Sequence, residues 1–123
     1  MNDDTTNLVI EIAKEFMTFL QGSGTPWAKG YFRFRSEALN FGSSASFTND
    51  GNTFLISAMK NATFFSSINE KSRRLIESMK KDEGLFLLIV DDLFNYDIKF
   101  EWSDLNKWEI TKMDGGTGVP MGV

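Results

Sequence analysis

The chain has 123 residues, 41% of them hydrophobic and 24% charged, the mixture expected of one globular domain built around a single core. It contains neither cysteine nor histidine, which excludes disulfides, thiolate zinc sites, Cys-His dyads, Ser-His-Asp triads and imidazole metal centres together. Thirteen basic against seventeen acidic residues leave a net charge of −4, a balance that repels phosphate backbones and makes nucleic acid a poor default partner.

The amino terminus, Met1-Asn2-Asp3-Asp4, lacks the basic stretch of a signal peptide. No apolar run approaches the roughly 18 residues of a membrane span, so the expectation is a cytoplasmic protein with no membrane partner. Asp3, Asp4 and Thr5 supply capping oxygens and negative charge to a first helix. Val9, Ile12, Ala13, Phe16, Phe19 and Leu20 recur at helical spacing, which predicts a helix over residues 5–20. Gly22, Gly24 and Pro26 stop it.

From Trp27 the period changes to two. Phe32 and Phe34 alternate with Tyr31, Arg33 and Arg35, predicting a strand with one phenylalanine face and one wet face carrying the arginines. Residues 43–47 and 53–57 flank Asn49-Asp50-Gly51-Asn52, whose Asp-Gly pair suits a tight hairpin. Ser67-Ile68-Asn69-Glu70 reads as a capping box opening a second helix, with Leu75, Ile76 and Met79 inward, that runs to about Asp82 and ends at a left-handed Gly84. Leu85 to Val90 is an unbroken apolar run, read as the middle strand of the sheet. After a turn at Asp91-Asp92 and Phe94-Asn95, residues Tyr96, Ile98, Phe100 and Trp102 alternate with Asp97, Lys99 and Glu101 in a last strand with an acidic outer face. The fold class is therefore α+β, an antiparallel sheet of about five strands with two main helices on one face, in the order α-β-β-β-α-β-β. Residues 1–114 form the single domain and the glycine-rich residues 115–123 a flexible tail.

The glycine clusters lack the strand-to-helix context of a phosphate-binding loop. The carboxylates of the last hairpin lack calcium-loop spacing. No cofactor or metal is expected. Lys29, Arg33 and Arg35 among Trp27, Tyr31, Phe32 and Phe34 form the one stretch that suggests a small nucleic-acid-binding domain, although the two phenylalanines face away from the arginines. Charge segregation is the stronger signal. Between Asp82 and Asp114, nine acidic residues stand against three lysines, a local net of −6 that leaves +2 on the rest of the chain. Such a surface steers a basic partner.

The run Tyr96-Asp97-Ile98-Lys99-Phe100-Glu101-Trp102-Ser103-Asp104-Leu105, with the order of elements, resembles the YezG-like immunity proteins of bacterial polymorphic toxin systems. Others of this broad type guard cells that use contact-dependent growth inhibition. The resemblance implies an antitoxin that performs no chemistry and neutralises the toxic domain of a cognate effector, often a nuclease, by direct contact. Asp91, Asp92, Asp97, Glu101 and Asp104 are the expected toxin contacts. Trp108, beyond the last clear strand, is expected to be partly exposed and to serve as an anchor.

Overall fold

The computed structural model describes residues 2–123. Seven elements follow one another: α1 (Asp3–Gly22), β1 (Lys29–Glu37), β2 (Asn40–Asn49), β3 (Asn52–Leu55), α2 (Ala62–Ser78), β4 (Gly84–Asp91) and β5 (Tyr96–Glu101). All strand pairings are antiparallel, in the order β3-β2-β1-β4-β5. This is the α+β architecture that the periodicities predict.

Helix α1 starts earlier than the spacing suggests, because the Asn2 side chain accepts the Thr5 N–H at 2.8 Å and leaves Asp3 and Asp4 in the first turn, where the helix dipole favours them. Helix α2 starts five residues before the Ser67–Glu70 box, at Ala62. Its first turns carry Phe64 and Phe65, and Phe64 stacks on Phe19 of α1 at 4.0 Å between centroids. Burial of those rings outweighs the local capping signal, so Ser67 lies inside the helix. The α2 terminator is also not Gly84. Lys80 adopts φ +59° and donates to the Glu77 carbonyl, while Lys81 donates to Ile76. Gly84 instead opens β4, in a space with no room for a side chain: an added Cβ would lie 2.5 Å from the Trp102 ring.

The helices run antiparallel on one face of the sheet, tied by Thr5 to Ser78 at 2.8 Å and by Lys71 to Glu15 at 2.7 Å. Between helices and sheet lie Ile12, Phe16, Phe32, Phe34, Ile68, Leu75, Phe86 and Leu88, all fully buried. The β2–β3 hairpin turns at Asp50 (φ +51°) and Gly51 (φ +77°), as the Asp-Gly pair predicts. The middle strand, however, is β1 rather than β4. Strand β4 is still flanked on both sides, by β1 and β5, and its Leu85-to-Leu88 run is buried on both faces.

That double burial has a source the sequence reading does not include. Residues 103–123, expected to end in a loose tail, fold back over the sheet face opposite the helices and build a second core of Tyr31, Leu85, Leu87 and Trp108, flanked by Ile89, Leu105, Ile110 and Val119. The arginine face of β1 is therefore covered at Arg33, while Arg35 stays partly exposed. Arg33 donates through Nε to the Lys107 carbonyl at 2.9 Å and through Nη2 to that of Leu105 at 2.8 Å. Residues 115–123 are held by Gly118 N–H to Thr111 O, Met121 N–H to Glu109 O, and a buried 2.7 Å bond from Ser46 Oγ to Gly118 O. Gly118, at φ +91°, lets the backbone pass where a Cβ would lie 2.9 Å from Thr53 Cγ2. Gly116 and Gly118 of this segment thus serve close packing.

Candidate protein-binding surface

The register of β5 on β4 sets the geometry of the acidic surface. Tyr96, Ile98 and Phe100 stand beside Val90, Leu88 and Phe86 on the helix side. Asp97, Lys99 and Glu101 stand beside Ile89, Leu87 and Leu85 on the side of the second core. Asp92 lies in the β4–β5 turn and Asp104 beyond the end of β5. Asp97 and Glu101 lie four positions apart on the strand, about 13 Å at the usual rise, so the carboxylates form a stripe along the sheet rim, with Lys99 in its middle.

The five carboxylates divide into two kinds. Asp91 organises its own turn, accepting the N–H groups of Leu93 at 2.9 Å and Asn95 at 3.0 Å and the Asn95 side-chain amide at 3.2 Å. Those bonds, the Asn95 N–H foremost, hold its pKa below the ordinary aspartate value. Glu101 accepts the N–H groups of Asp104 at 3.1 Å and Ser103 at 3.0 Å through one oxygen, and Lys107 Nζ at 3.1 Å through the other. Its pKa falls to about 2, chiefly through those two backbone donors. Both residues are committed to local structure. Asp92, Asp97 and Asp104 are exposed and pair with no cation among the described residues, although Asp104 also accepts the Asn106 N–H at 3.1 Å.

Trp108 does not belong with them. It is 7% exposed and forms the floor of the second core, with Lys107 Nζ 5.1 Å from its ring centroid. The expectation of partial exposure is overturned because the segment beyond β5 folds back rather than trailing away. Trp102, which the alternation sets on the side of Phe100, is half-buried over Gly84, stacked on Phe100 at 5.6 Å with Lys81 Nζ 5.3 Å from its ring.

The aromatic and basic stretch of β1 is absorbed in part, with Lys29 left exposed. Phe32 and Phe34 are fully buried, Arg35 pairs with Glu37 at 2.8 Å, and Arg33 is bound by the carbonyls described above. Burial lowers the pKa of Arg33, opposed mainly by the charge of Glu109. Among the described residues, no group of three His, Cys, Asp or Glu side chains is placed to hold a metal, and no helix is long and apolar enough to cross a membrane.

Beside the acidic stripe lies an apolar surface for which the sequence reading has no place. Leu93, Phe94 and Tyr96 are 77%, 56% and 45% exposed. Phe94 and Tyr96 form one wall of an open groove of about 640 Å³ whose other wall is α1, through Ile10, Ala13, Lys14 and Met17. Two large apolar residues in one turn, Leu93-Phe94, are the signal present in the sequence; Tyr96 shares the side of Ile98 and Phe100, but the edge of the sheet leaves it open.

The sequence matches no protein-family model, and no curated protein shows significant similarity to it.

Proposed function

We propose that this chain is an immunity-type inhibitor that binds and neutralises a cognate toxin domain, a basic nuclease, by direct contact that occludes its active site. The observation that supports this reading is the set of exposed, unpaired carboxylates Asp92, Asp97 and Asp104 within the segment of net −6. Unpaired surface charge acts at long range on encounter, whereas charge already neutralised by a neighbour does not. The partner matching this surface is a domain whose substrate cleft is lined with lysine and arginine.

The test is co-expression with the toxic carboxyl-terminal domain of a candidate cognate effector. Protection of growth and co-purification are expected; unrelieved toxicity overturns the proposal. With purified components, raising salt from about 50 to about 500 mM should slow association far more than it speeds dissociation. Asp92→Asn/Asp104→Asn should lower the association rate by about three- to tenfold at low salt. An unchanged rate removes the electrostatic part of the mechanism.

A further inference from the structure

We infer that the free edge of β5 pairs with the β5 of a second copy, joining two five-stranded sheets into one continuous antiparallel sheet across a two-fold axis. This goes beyond the toxin-binding reading and does not depend on it. Strand β5 ends the sheet, and beyond its ladder to β4 no other segment among the described residues pairs with its outer edge. An open edge is a template for another strand.

The sequence of β5 determines which strand fits. In a two-fold antiparallel pair that keeps both faces continuous, residues of like parity oppose each other. Centring the axis on Ile98 places Asp97 opposite the partner copy's Lys99 and Lys99 opposite its Asp97, while Tyr96 meets Phe100 and Ile98 meets Ile98 on the helix side. Asp97 and Lys99 are both exposed and without partners among the described residues. Opposite charges directly across a ladder stabilise it and like charges oppose it.

The neighbouring registers fail by the same rule. Centring on Lys99 sets Lys99 against itself and Asp97 against Glu101; centring on Asp97 sets Asp97 against itself. Centring on Phe100 leaves only residues 99–101 of the strand overlapping and calls on Glu101, whose carboxylate is already held by Ser103, Asp104 and Lys107. Only the Ile98-centred register uses almost the whole strand and satisfies both charges. It also brings the exposed Tyr96 of each copy, and the α1 groove beside it, to the junction on the helix face, where apolar surface gains from being covered. The occupant of this edge is therefore a second copy of the chain.

Sedimentation velocity on the full chain from about 1 to about 200 µM reads the association directly. A monomer–dimer equilibrium is expected in that range. Asp97→Lys and Lys99→Asp each turn two attractive pairs into two repulsive ones, so each alone should weaken dimerisation at least about tenfold. Mixing the two variants re-creates opposite-charge pairs at every position, and a heterodimer with near-wild-type affinity should form. Restoration in the mixture shows that neither substitution acts by unfolding the protein. A monomer throughout the range overturns the inference, as does a dimer indifferent to the single substitutions or a mixture that fails to associate. A dimer lost in Asp92→Asn/Asp104→Asn but kept in Asp97→Lys would place the contact elsewhere and also overturn it.

Discussion

Glu101 shows how a residue that reads as a binding group can be spent on the fold. Its carboxylate closes the turn that leads from β5 into the carboxyl-terminal segment, receiving two backbone N–H groups and Lys107. The bonds are made to the charged form, which is why its pKa drops from the ordinary 4.5 to about 2. A folded-state pKa below the unfolded value adds stability that is present above the unfolded pKa and lost as pH falls through the folded one. Thermal unfolding should therefore show a midpoint that declines from about pH 4.5 down to about pH 2. Glu101→Gln keeps an acceptor for the two N–H groups and removes the charge. The variant should start lower at neutral pH and decline less across this window, with a residual slope from Asp91, whose pKa is depressed in the same direction. An unaltered acid profile would show that Glu101 is not the responsible group.

The passage from α2 into β4 is the element whose sequence reading and structure differ most. A glycine after a helix is usually its left-handed terminator, yet Lys80 takes that conformation and Gly84 is kept for a different reason. Trp102 folds across it, with ring carbons at 2.5 and 2.6 Å from where a Cβ would stand. The ring is held by Phe100 on one side and Lys81 nearby, so it cannot swing away freely. Gly84→Ala should lower unfolding stability by about 1–3 kcal/mol, the usual cost of overpacking, as measured by the denaturant midpoint. A neutral substitution would mean that Trp102 moves without resistance. The apolar run of β4 can be read directly from local sequence, whereas the helix end expected at Asp82 and Gly84 falls at Ser78, with Lys80 in the left-handed conformation. The reason for Gly84 lay in a tryptophan eighteen positions later in the sequence, beyond the reach of any window.

As a body, the protein is a sheet covered on both sides, by helices on one face and by an irregular segment on the other. This second cover changes what several residues do. Arg33 becomes a clamp on two carbonyls, and Trp108 becomes core. Trp108→Ala should therefore cost about 3–5 kcal/mol of stability, the range for losing a buried large aromatic, visible in thermal or denaturant unfolding. Unchanged stability coupled to weakened toxin capture would instead return Trp108 to the surface role that its position after the last strand first suggests. The same arrangement places the unpaired carboxylates and the open β5 edge together at one rim, with Asp97 common to both, so that Asp92→Asn/Asp104→Asn reads the toxin encounter and Lys99→Asp reads the edge pairing.

Alternation in β1 and β5, the helical stripe of α1 and the Asp50-Gly51 turn are written in neighbouring residues, and with them came the α+β class, the antiparallel pairing and the helices on one face. Short-range periodicity suffices for this because it reports which side of each element must leave water. The fate of the carboxyl-terminal segment could not be read that way. It rests on contacts such as Ser46 to Gly118 and Arg33 to Lys107, between residues 72 and 74 positions apart. A glycine-rich stretch looks loose when judged by propensity alone, and becomes ordered only when a hydrophobic face is there to receive it.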